Sequence, residues 1–374
     1  MPVKTHLEKI TSRVLCFLAA SAVTGFCADS TSYTPPAGYF AIPIKARSDN
    51  HISLPLVQKA AGFGTVSSAG RDRLTISAKN WAPGQFRRRA GADKASYVAE
   101  FVTGPLRGIS YDILDNNSDT VVLDTQGDDI TRHPRGSIGF GDVVRLRPLW
   151  TAASVFGDNE SNLQIAPRRN ALVSGDAVIL PDNTGTGVNK GPAAQLAFIR
   201  GSGWRSTTGD RTTDRADFAF VPGQPMNVRR LATEDTSVLT IGHVAGGRQA
   251  VYLPDGGTSG NDISVGLLGT ESVTLAQSGL VDSASPQLSA FRSSGSTVFR
   301  ADELMSYGGG SGFNQTPARS FYHLAGAGWR EVGSSSSSVG SSVTLEPGRA
   351  YLLRKKAGSP GGDWIQNDTA STTP

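Results

Sequence analysis

Gly185-Thr186-Gly187-Val188-Asn189, followed by Pro192-Ala193 and Gly203-Trp204-Arg205, returns 125 residues later as Gly310-Ser311-Gly312-Phe313-Asn314, Pro317-Ala318 and Gly328-Trp329-Arg330. Residues 185–230 align without a gap on 310–355, with twelve identities in 46 positions that also include Gly201/Gly326, Pro222-Gly223/Pro347-Gly348 and Arg229/Arg354. Identities concentrated in Gly, Pro, Asn and Trp mark turns and core plugs, so the copied object is a unit of fold rather than a catalytic constellation.

A fainter correspondence sets Asn50-His51-Ile52-Ser53-Leu54 on Asn261-Asp262-Ile263-Ser264-Val265, at an offset of 211. The first copy is therefore longer than the second by 86 residues, close to the length of 64–150. That segment alternates short strand-like runs (Arg73–Ser77, Ser96–Val102, Gly108–Leu114, Thr120–Leu123, Asp142–Leu149) with turn-forming Asp, Asn and Gly. So many short strands in so little chain suggest a small closed barrel, because closure removes exposed edges. The predicted organisation is an all-β chain of two homologous sandwich-like units, the first interrupted by an inserted small β-barrel. In residue numbers it is a signal peptide (1–28), a discontinuous first unit (29–63 and 151–230), the barrel (64–150), a second unit (240–356) and a flexible tail (357–374).

Lys4, Lys9 and Arg13 precede an apolar run from Val14 to Phe26, too short to span a bilayer, which is the pattern of an export signal. Cleavage is placed after Ala28, with Ala22 as the alternative. Loss of 1–28 removes both cysteines, Cys16 and Cys27, and lowers the formal net charge from +4 to +2 by taking away Lys4, Lys9, Arg13 and Glu8. A cysteine-free exported chain of this length must rest on ordinary burial. A charge so near zero, with the run Arg87-Arg88-Arg89 its one local concentration, is not a nucleic-acid balance. Nothing after residue 28 is apolar enough for a membrane helix.

The candidate ligand contacts are Trp204, Arg205, Trp329 and Arg330, since a Trp face stacks on sugar rings and Arg supplies donors. The competing reading, a Trp plugging each core, is favoured by the turn glycines beside both. Tyr322 and His323 stand where the first copy has Ala197 and Phe198, which marks them as packing positions. Asp112, Asp115, Asn116, Asn117 and Asp119 offer oxygen ligands in the loop 112–119, but the spacing fits no closed calcium loop. No Gly-x-Ser-x-Gly elbow, His-Glu-x-x-His or phosphate loop occurs, and Gly308-Gly309-Gly310-Ser311-Gly312 reads as a flexible connection.

Asp302-Glu303-Leu304 to Gly312-Phe313-Asn314, Trp329-Arg330-Glu331-Val332-Gly333 and Pro347-Gly348 to Lys355 resemble the C-terminal half of an uncharacterised family of exported bacterial proteins known mostly from Verrucomicrobia. Ala37-Gly38-Tyr39-Phe40 and Ile52 to Leu56 resemble its N-terminal segment, and Phe101 to Gly108 with Gly141 to Thr151 its middle. The resemblance implies an exported, β-rich protein and no activity. Arg87 to Arg89 and the Ser-rich loop 333–342 depart from it.

The expectation is an exported, non-enzymatic component with a structural or adhesive role, placed outside the cell, at its surface or in the periplasm. The alternatives are a carbohydrate-binding module and a hydrolase whose site forms only in the fold. No cofactor and no metal ligand set is expected. The expected partners are cell-surface or matrix glycans or further copies of the chain, with no nucleic acid and no membrane-spanning segment.

Overall fold

The computed structural model describes residues 36–89, 95–170, 175–282, 289–334 and 337–366. The predicted signal segment lies outside them. Two five-stranded antiparallel sheets dominate. In spatial order the first is Gly203–Ser206, Pro192–Ile199, Ala177–Pro181, Pro225–Arg230 and Ser48–Ser53. The second is Gly328–Glu331, Pro317–Leu324, Glu303–Tyr307, Ala350–Lys355 and Asn261–Gly266. Strand order, direction and the bulge at Ala193 or Ala318 are the same in both. In each unit the alternating inward residues meet a smaller sheet, Ala37–Ile44, Thr236–Val244 and the short Leu56–Val57 in the first and Gln249–Leu253 with Gly362–Gln366 in the second. Each sandwich-like unit has its own core, one centred on Trp204, Phe156 and Phe220, the other on Trp329, Phe291 and Trp364.

The barrel closes from six strands in the order Gly62–Ala69, Arg73–Ile76, Thr120–Asp124, Ser110–Asn116, Tyr97–Phe101 and Val143–Pro148. Its interior is filled by Val66, Leu74, Phe101, Ile113, Val144 and their neighbours. First and last strands pair, Gly62 opposite Leu146, and Gln58 donates to the Leu149 carbonyl at 2.9 Å. The chain thus leaves and re-enters the first unit at nearly one point, as an insertion must.

Three expectations need correction. The second copy of the N-terminal strand aligns at an offset of 213, not 211: Ser48–Ser53 and Asn261–Gly266 share both burial pattern and sheet position. A slip of two residues leaves every side chain on its own face, so alternation cannot detect it. The residues from 240 to 244 continue Thr236–Val244 and belong to the first unit. The tail is structured at least to Gln366, whose strand buries Trp364 at 1% exposure; the Gly- and Pro-rich approach at 358–362 hides it. The Ser-rich loop is anchored at its far end, where the Val339 amide donates to the Trp329 carbonyl at 2.9 Å and Gly340 packs on that ring.

Candidate functional site

The repeated Gly-x-Gly-x-Asn loops do not serve their own units. Gly312 accepts from the Asp49 amide at 2.9 Å, and Asn314 donates its amide to Asp49 Oδ2 at 2.7 Å. Asp49 is 4% exposed and held by a two-point bond from Arg229, Nε at 2.7 Å and Nη2 at 2.8 Å; Arg229 Nη2 also reaches Asn314 Oδ1 at 2.8 Å. The other half repeats the arrangement. Gly187 accepts from the Asp262 amide at 2.9 Å, Asn189 donates to Asp262 Oδ2 at 2.8 Å, and Arg354 bonds Asp262 at 2.7 and 2.8 Å. Lys190 Nζ then bridges Gly185 O and Asn261 Oδ1, as Gln315 Nε2 bridges Gly310 O and Ser48 Oγ. The two units therefore meet about a pseudo-twofold axis, each lending a loop to the other, in the manner of an isologous interface within one chain.

Asn189 and Asn314 sit at φ 53° and 52°, left-handed values that Asn tolerates better than other side chains. Burial raises the Asp49 carboxyl, but the Arg229 side chain and the Asn314 amide outweigh it and hold the group below its usual range.

Two clefts flank this junction, of about 570 and 490 Å³. Their partition is a parallel stack of His51 on Tyr307, ring centroids 3.5 Å apart and planes within 9°. Burial pushes His51 down to about 4, so the ring is neutral at pH 7. Most charged groups around the clefts already have partners: Lys45 with Asp235, Arg319 with Glu331 and Arg349 with Glu346. Asp182 accepts from the amides of Thr184 and Gly185. Among the described residues no three His, Cys, Asp or Glu side chains are grouped to hold a metal. Ser293 Oγ does lie 2.8 Å from His323 Nδ1, outside both clefts, with His323 edge-on to Trp329 where the first unit has Phe198 edge-on to Trp204.

The residues singled out as ligand contacts stand apart from the junction. Trp204 is fully buried against Phe156 and Phe198, its Nε1 donating at 2.7 Å to the carbonyl of Gly157, the C-cap of the short helix Ala152–Phe156. Trp329 is 4% exposed against Phe291. Neither presents a ring face to a ligand. Arg205 bonds the Trp204 carbonyl at 2.7 Å and Asp214 at 3.2 Å; Arg330 follows Trp329 on the corresponding strand. In the acidic loop Asp115 is paired with Arg87, and Asn116 is 2% exposed with its side chain bonded to Phe86 N and Ala82 O. Arg88 and Arg89 lie against Asp124 and Asp217, so the arginine run is spread over three carboxylates. The residues that reasoning from sequence missed, Asp49 and Asp262, were hidden by the two-residue slip; aligned at 213 they are identical.

Comparison with family models, with curated proteins and with solved structures returned no match to this chain.

Proposed function

We propose that the protein is an exported, non-enzymatic component with a structural or adhesive role, outside the cell, at its surface or in the periplasm. One observation carries the non-enzymatic part: three of the four polar pairs retained in both copies, Asp49/Asp262, Arg229/Arg354 and Asn314/Asn189, are spent on joining the copies, and in the fourth, Arg205/Arg330, Arg205 is tied to Trp204 and Asp214 within its own unit. A carboxylate whose oxygens are engaged by an arginine fork and a backbone amide is a poor general base, because taking up a proton would break those charge-assisted bonds. Export rests on the N-terminal sequence pattern and on the resemblance to an exported family. Among the described residues no helix is long and apolar enough to cross a membrane. The test is fractionation of a tagged copy with an adhesion assay of wild-type and deletion cells. Cytoplasmic retention overturns the export reading, and turnover of an ester, glycan or peptide by the purified chain overturns the non-enzymatic one.

A carbohydrate-binding role is the second reading, moved from the buried tryptophans to the clefts. What favours it is a lining of polar side chains from both units, with Asn227, Gln195 and Tyr307 on the smaller cleft. Glycan-array binding lost in Gln195→Ala, with folding retained, would establish it in place of adhesion through protein contacts.

A further inference from the structure

Three arginines from separate segments gather where the barrel abuts the second unit. Arg107 follows the strand Tyr97–Phe101, Arg135 lies in the turn-rich stretch before Val143, and Arg248 immediately precedes Gln249–Leu253. Backbone contact fixes the seam: Ala250 donates to the Gly108 carbonyl at 2.9 Å, and a Cβ at Gly108 would stand 2.7 Å from the Arg248 carbonyl. Arg107 Nη2 would lie 3.4 Å from a Cβ on Gly247, beside Arg248. The guanidinium of Arg248 is destabilised first by burial and then by the charges of Arg135 and Arg107.

The negative charge nearby is small. Asp363 lies 2.7 Å from Arg135 Nη2, and Asp128 is engaged by the Tyr111 hydroxyl at 3.0 Å. Arg135 Nη1 and Arg248 Nε are buried and have no hydrogen-bond partner among the described residues. A buried N–H without a partner is costly, more so on a charged group, and arginine cannot relieve the cost by losing its proton. Side-chain exposures of 23% for Arg135 and 21% for Asp363 leave the seam open to a small solute.

We propose that this seam binds a tetrahedral oxyanion, sulfate or phosphate, either free or as an ester on a glycan. Donors on three separate segments suit an anion that offers oxygens in several directions, whereas a carboxylate is satisfied by one planar fork.

The test is calorimetric titration of the whole chain with sodium sulfate and with sodium phosphate at fixed ionic strength, with sodium chloride as control. Saturable binding is expected with a dissociation constant of about 1 mM or tighter, weakened about tenfold or more in Arg248→Gln. Arg107→Gln, on the exposed loop, gives the same comparison if Arg248→Gln does not fold. A merely structural arginine would lower Tm with or without the anion. The site predicts instead that without sulfate Arg248→Gln holds or raises Tm, by removing like-charge repulsion, and loses the rise in Tm that sulfate produces. A sulfated oligosaccharide that binds more tightly than sulfate, through the same arginines, assigns the ester; equal affinity assigns the free ion. Heats that never saturate, or a sulfate response undiminished in both variants, overturn the proposal.

Discussion

The Asn314 backbone amide, in the second unit, donates to the Asp49 carboxylate of the first at 2.7 Å, across 265 residues of chain. Its counterpart joins Asn189 to Asp262 at 2.8 Å. Because Asp49 is buried and carries a two-point bond from Arg229, these contacts hold the charge that the junction buries.

Removing one partner of such a pair strands the other, which typically costs about 3–5 kcal/mol. Asp49→Ala and Asp262→Ala should each lose stability on that scale in denaturant unfolding. Arg229→Ala added to Asp49→Ala should cost less than the two single changes together, the signature of coupling. Losses below about 1 kcal/mol at both aspartates would mean that the junction is ornamental.

Acid should act in two stages. His51 has a folded-state pKa of about 4 against 6.5 for the free side chain, so the unfolded chain binds its proton first. Its contribution is complete above pH 6.5 and lost as pH falls to 4, up to about 3 kcal/mol. The Asp49 carboxyl, also depressed, contributes above its ordinary value of 3.8 and loses that contribution as pH drops further. His51→Phe should reduce the slope of the upper limb of a plot of Tm against pH, to which His323, also depressed by burial, adds its own share, and leave the lower limb unchanged. An unchanged upper limb would show that another group titrates there.

Trp204→Ala and Trp329→Ala should each cost about 3–5 kcal/mol, the range for truncating a buried aromatic residue. Exposed rings would give less than about 1 kcal/mol. Equilibrium unfolding of the two variants decides between them.

A Cβ at Gly64 would stand 1.9 Å from Ile76 Cγ2, inside the barrel wall. Gly64→Ala should therefore overpack the barrel, costing about 1–3 kcal/mol, and combined with Ile76→Ala it should cost less than the two single changes together, because the truncation removes the clashing methyl. If Gly64→Ala alone is neutral by thermal unfolding, the wall is more pliable than its packing indicates.

Replacing residues 62–148 by a short Gly/Ser link should leave both sandwich-like units folded, because the Gln58–Leu149 bond keeps the severed ends together. Loop closure costs little more for a long connection than for a short one. Loss of the near-ultraviolet signal of Trp204 and Trp329 in the excised chain would refute the independence of the barrel.

The all-β class, the repeat and the barrel were legible because turn glycines and tryptophan plugs accept few substitutes. Gly62–Ala69 was not, since its two glycines and two serines weaken the alternation around Phe63 and Val66. The role of Asn189 and Asn314 was hidden for another reason. A sequence repeat shows that a residue was kept, but the partner that makes it worth keeping lies in the other copy. Asp49 and Asp262 emerge only once the strands Ser48–Ser53 and Asn261–Gly266 are seen in equivalent sheet positions.

A twofold contact made by separate subunits falls apart on dilution. Here both copies of the contact lie in one chain, so each half meets the other at an effective concentration of about millimolar however scarce the protein becomes. The covalent link also frees the halves from identity. His51 faces Tyr307 on one side of the axis while Asn183 bonds Ser264 on the other, an asymmetry that two identical subunits related by symmetry could not maintain.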